Sequence, residues 1–128
     1  PGRAYHFTYG NALFVILDSN VDPASQVEWL DATLAGSAAT WKFVSFHHPI
    51  YGSEPGRTKS RVKAAWLSVL DKHKVDLVLQ GHDHAYLRTH PMRGDRRRER
   101  PGDGTTYVVS VSGTKMYGQG DFDYTAKG

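Results

Sequence analysis

Two short apolar runs, "WKFVSF" over residues 41–46 and "VDLVLQ" over residues 75–80, constrain the fold of this chain more than any other feature. Each is continuous, bounded by polar residues, and the length of a buried strand rather than of a helix. Between them Val62, Trp66, Val69, Leu70 and His73 keep a 3.6-residue period and predict an amphipathic helix behind the loop "GSEPGRTKS". A strand, a helix and a second strand within about 30 residues form a crossover unit, and such a connection makes the two strands parallel. Both runs end in histidine: His47 and His48 follow the first, His82 and His84 the second. Parallel strands place their carboxyl ends on one edge, where open α/β sheets bind ligands. Imidazoles far apart in sequence are thereby delivered to one place.

The rest of the chain adds strands around this unit. "AYHFTYG" alternates, turns at Gly10-Asn11 and runs on through "ALFVILD", which predicts a hairpin into a buried strand ending at Asp18. Asp22 before Pro23 is an N-cap and N1 pair, and Val27, Leu30 and Leu34 at helical spacing before Gly36 predict one short helix. "TTYVVSVS" closes the pattern as a last strand ahead of a glycine-rich tail. The expected architecture is a single α/β domain with a mixed sheet. At 128 residues and 39% hydrophobic content the chain is long enough to bury one core. No stretch is long and apolar enough to span a bilayer as a helix, so no membrane partner is expected. The first residue is Pro and the last is Gly, which leads to the expectation of an interior piece of a longer chain.

The chain has no cysteine, so a metal ion could be held only by His, Asp, Glu, Asn or Tyr. In extended backbone, residues i and i+2 share a face, so His82 and His84 are expected to face one cleft while Asp83 faces away. Their backbones would then stand about 6 to 7 Å apart, a spacing that suits one chelated ion or two neighbouring ions equally. The plain alternative is that His47 and His48 pack against Pro49 or are solvated, and that His82-Asp83-His84 is a polar turn. His6, His73 and His90 are expected to be surface, core or turn residues.

Two of these stretches carry a family resemblance. "FVSFHHPIY" is similar to the histidine-bearing strand end of the calcineurin-like metallophosphoesterases, a superfamily that includes the purple acid phosphatases, and "LVLQGHDHAYLR" resembles its Gly-His-x-His motif. "FTYGNALFVILDSN" and "QVEWLDATL" resemble the segment just upstream, and "GTTYVVSVSGT" the closing strand, so the likeness covers most of residues 5 to 90 in order. It implies half of an α/β/β/α sandwich, with residues 1–128 as the C-terminal portion of one domain. It also implies a dinuclear centre of iron, zinc or manganese in which His47 and His82 bind one ion and His84 the other. The implied reaction is hydrolysis of a phosphate ester, with His48 and Tyr51 lining the substrate pocket and His48 as the candidate general acid.

The departures matter as much. The family's Asp-x-His, Gly-Asp and Asn-His motifs do not occur in this sequence in that form. Neutral imidazoles bring no negative charge to two neighbouring cations, so carboxylates are required. Asp18 is the nearest candidate, but the family uses that position structurally. The expectation is therefore that an N-terminal half supplies the missing ligands, that these 128 residues alone are inactive, and that the face this half covers favours self-association when bare. Two rival readings stand beside it. Arg93, Arg96, Arg97, Arg98 and Arg100 lie in eight residues and could contact a nucleic acid or another polyanion, although such a run more often marks a solvated hairpin loop. The histidines could also hold one ion that only staples the fold.

Overall fold

The computed structural model describes residues 3–56, 60–110 and 113–128. A hairpin of β1 (Tyr5–Tyr9) and β2 (Ala12–Ile16) opens the chain, turning at Gly10 with φ +57°, a conformation glycine adopts without strain. A short 3-10 turn, Pro23–Gln26, leads into α1 (Val27–Ala35), with the Asp22 carboxylate capping the Ala24 amide and Pro23 at the first position. β3 (Trp41–Ser45), α2 (Arg61–Lys72) and β4 (Leu77–Gln80) form the crossover unit. β5 (Leu87–Thr89), the small hairpin β6 (Met92–Arg93) and β7 (Arg96–Arg97), β8 (Thr106–Val109) and β9 (Thr125–Lys127) complete the chain.

Seven strands make one mixed sheet in the order β1-β2-β3-β4-β8-β5-β9. β2, β3, β4 and β8 run parallel, whereas β1, β5 and β9 pair antiparallel to their neighbours. The expected mixed α/β sheet and the parallel pairing of β3 with β4 are both present. Differences are at the ends: β2 stops at Ile16 rather than Asp18, and β4 begins at Leu77 because Val75 is already turned into the core. Residues 111 and 112, expected within the last strand, lie outside the described residues.

The two faces of the sheet differ. Leu13, Val15, Val44, Val78, Leu87, Tyr107 and Val109 point to the face covered by α1 and α2 and are buried with Leu30, Leu34, Val62, Trp66 and Leu70. On the opposite face Phe7, Phe14 and Phe43 stand in register, with ring centroids 5.0 and 5.1 Å apart. Tyr5, Phe7 and Leu79 on that face remain roughly half exposed, at 55%, 47% and 45%. A sheet normally buries at least one face fully; here a second apolar face is left open.

Candidate metal centre

The parallel ladder continues past the last strand residues. The Phe46 amide donates to the Leu79 carbonyl (3.1 Å) and the Gly81 amide to the His47 carbonyl (2.9 Å), so the two histidine segments leave the sheet side by side. His82 then takes φ +68°, a left-handed conformation that is costly for a residue with a side chain and that tends to persist at functional sites. His82 Nδ1 comes to 3.3 Å from His47 Nε2. His48 joins them: one nitrogen from each of His47, His48 and His82 lies within 4.8 Å of the others.

Each ring has a reason for its orientation. A Cβ at Gly81 would meet His47 Nδ1 at 3.1 Å, so glycine lets the imidazole pack against the backbone and turns Nε2 outward. The His48 amide donates to Ser19 Oγ at 2.9 Å, and Ser19 Oγ also contacts His48 Nδ1 at 2.9 Å, which locks that ring to the end of β2. The loop after Pro49 is held by Gln80, whose Oε1 accepts from the Ile50 amide (2.6 Å) and the Tyr51 amide (3.3 Å) while its Nε2 donates to the Tyr51 carbonyl (3.0 Å). Sequence reasoning missed Gln80, and its one signal is a polar residue in an otherwise apolar strand. Gln80→Ala strands these buried groups and is expected to cost about 1–3 kcal/mol. Urea denaturation checks it, and a change below about 0.5 kcal/mol, as for a surface site, would refute this role.

Partial burial lowers the pKa of His47 from the ordinary 6.5, and the neighbouring His48 and His84 push it further the same way. A neutral imidazole is the form that ligates metal. The unfolded chain binds this proton more tightly than the folded one, so stability is fully present above pH 6.5 and declines as pH falls through the lowered value. An NMR titration of the His47 ring should give a midpoint below 6.5; a midpoint at or above it contradicts the stated cause.

His84 does not enter the three-ring group. The expected strand-like alternation is absent, because residues 81–86 form no strand and His82 turns left-handed. Asp83, 3% exposed, is drawn inward to accept from the amides of Ser53 (2.7 Å) and Glu54 (3.3 Å), and the chain wraps around it. His84 lies beside the group, its amide donating to Glu54 Oε1 (3.2 Å) and its ring 4.9 Å from that of Tyr117. Tyr51 is placed away from the three-ring group. It is 2% exposed, packed edge-on to Tyr107 and tilted against Tyr124, and its hydroxyl donates to Asp95 at 2.7 Å, which turns it into the core. Asp18 accepts at Oδ1 from the Asn20 amide and side chain, contacts that hold its pKa down, and fixes the turn after β2. No carboxylate belongs to the three-nitrogen group among the described residues.

The arginine-rich segment is a tight hairpin, with Gly94 and Asp95 at φ +60° and +55°. Asp95 also takes Lys63 Nζ at 2.8 Å, and the Gly94 amide donates to Asp71 at 2.9 Å, so the hairpin is pinned while Arg96, Arg97, Arg98 and Arg100 are exposed.

The fold and these sequences have known counterparts. The family described as calcineurin-like phosphoesterase matches residues 3–86. An uncharacterised protein of Mycobacterium tuberculosis is 33% identical over 100 residues, covering 70% of this chain and 19% of that protein. Purple acid phosphatase 15 of Arabidopsis thaliana is 34% identical over 93 residues, covering 66% of this chain and 18% of that one. The chain thus spans about a fifth of the length of the curated relatives it matches. Among solved structures, purple acid phosphatase PPD1 from yellow lupin seeds superposes with a TM-score of 0.70 at 22% identity, over 83% of this chain and 22% of that one. GAP50, the anchor in the inner membrane complex of Plasmodium, superposes with 0.63 at 23% identity, over 97% and 41%. With its histidine-bearing parallel strand ends and the match over residues 3–86, this chain belongs to the calcineurin-like phosphoesterase family and is purple acid phosphatase-like.

Proposed function

We propose that this chain supplies the histidine side of a dinuclear centre that hydrolyses phosphate esters, and that the carboxylate ligands come from sequence outside these 128 residues. The observation that carries the reading is the approach of His47 Nε2 to His82 Nδ1, 3.3 Å apart at the carboxyl edge of parallel strands. One nitrogen from each of His47, His48 and His82, all within 4.8 Å of one another, suits the donor chemistry of iron, zinc or manganese. His47 and His82 would hold one ion and His84 the other. Bound there, the ions would lower the pKa of a water and neutralise charge on the phosphate oxygens.

The chain's own residues do the rest. The lowered pKa of His47 favours its neutral, metal-binding form. Ser19 Oγ accepts the His48 amide proton and contacts His48 Nδ1, which orients the ring so that its other nitrogen could exchange a proton with a phosphate or leaving-group oxygen. The open aromatic face of Phe7, Phe14 and Phe43 is where a second sheet from the missing half would pack; without it the same face favours self-association.

The test is hydrolysis of a phosphomonoester by this chain joined to its upstream sequence, before and after chelation. Activity lost on chelation and restored by added metal is the expected result; full activity in chelator refutes the reading. A second reading has its own observation, the pinned hairpin with exposed Arg96, Arg97 and Arg98, which suits a polyanion. Retention on heparin that falls with salt and disappears when these three become Ser would support it.

A further inference from the structure

We infer that the glycine-rich segment from Gly113 to Gly120 is a positioning strap for His84, fixing which ring nitrogen His84 offers to a metal. The inference deepens the proposed dinuclear reading and rests on its assignment of His84. His84 Nδ1 lies 2.9 Å from the Lys115 carbonyl oxygen. A carbonyl has no proton to give, so Nδ1 must be the donor, and in the neutral ring Nε2 is then the bare lone pair.

The strap is itself held in place. The Tyr117 amide donates back to the His84 carbonyl at 3.0 Å, so strap and histidine exchange two hydrogen bonds. The Tyr117 ring packs at 4.9 Å from the imidazole and restricts its rotation. Further on, the Gly120 amide donates to the Ser53 carbonyl at 2.8 Å, and the buried Tyr124 hydroxyl donates to the Gly52 carbonyl at 2.8 Å. Ser53 is the residue whose amide Asp83 accepts. The strap, the loop around Ser53 and the His82-Asp83-His84 turn therefore form one hydrogen-bonded unit. Backbone partners of this kind set the tautomer and direction of metal-binding histidines.

The tautomer is read directly by long-range 15N–1H NMR on protein labelled at histidine. His84 is expected to be protonated at Nδ1 and bare at Nε2; a proton on Nε2 overturns the inference. Replacing Lys115, Met116 and Tyr117 by Gly should mix the two tautomers and weaken Zn2+ binding by about 10–100-fold, and Tyr117→Phe, which keeps the ring, should retain both properties. If the triple-glycine chain keeps the wild-type melting curve, tautomer and Zn2+ affinity, the strap has no positioning role. His84→Ala separates the two levels. Unchanged Zn2+ affinity in that variant defeats the assignment of His84 as a ligand, whereas lost affinity there with no effect of the strap variant defeats the strap alone.

Discussion

Replacing Trp66 by alanine is expected to cost about 3–5 kcal/mol of folding stability, the range for deleting a large buried aromatic. Trp66 is fully buried on the inner face of α2, with its ring edge-on to Phe46 at 5.0 Å. Its indole nitrogen donates to the Pro23 carbonyl at 2.9 Å, so this one side chain joins α2, the end of β3 and the entry to α1. The substitution removes the packing and strands a carbonyl in the core. The native stability of a domain this size is about 5–15 kcal/mol, so the variant should be marginal. A urea midpoint close to wild type would contradict this account of the core. Trp66→Phe, which keeps an aromatic ring but loses the donor and part of the buried volume, should fall between the two.

The second large effect is at His82. In the active protein His82→Ala should lower phosphoesterase activity by at least about a hundredfold, since a metal's stabilisation of a phosphoryl transition state is worth several kcal/mol and each 1.36 kcal/mol is tenfold. The substitution gives no relief of backbone strain, because alanine keeps a Cβ at the left-handed φ +68°. His82→Gly is the matched control: it suits φ +68° better and should be equally inactive. Activity surviving in both variants would mean that the pairing with His47 is structural. His48→Ala should behave differently, retaining metal while flattening the basic limb of the pH–rate profile, where a general acid loses its proton.

Which parts of this were legible in the sequence follows from the physics. The parallel unit β3-α2-β4 announces itself because buried parallel strands read as continuous apolar runs and the helix between them keeps a clear period. That geometry also led from sequence to His47 and His82, since residues just past two parallel strands must share an edge. β6, β7 and β9 are two or three residues long, too short to show any period. The path through residues 82–84 does not follow strand alternation, because it is set by a left-handed His82 and by Asp83 reaching for amides 29 and 30 residues away. Gln80 and the strap were invisible for the same reason: a hydrogen bond between distant segments leaves no local pattern. Tyr51 sits close to His47 in sequence, but a phenol with Asp95 and two tyrosine rings to meet turns into the core.

The central claim is that His47 and His82 hold metal together with carboxylates from elsewhere in the protein. Counting tightly bound metal in this chain joined to its upstream sequence, for wild type and for His47→Ala, tests it most directly. The account predicts two ions per wild-type molecule and loss of at least one in the variant; an unchanged metal content in His47→Ala would contradict it.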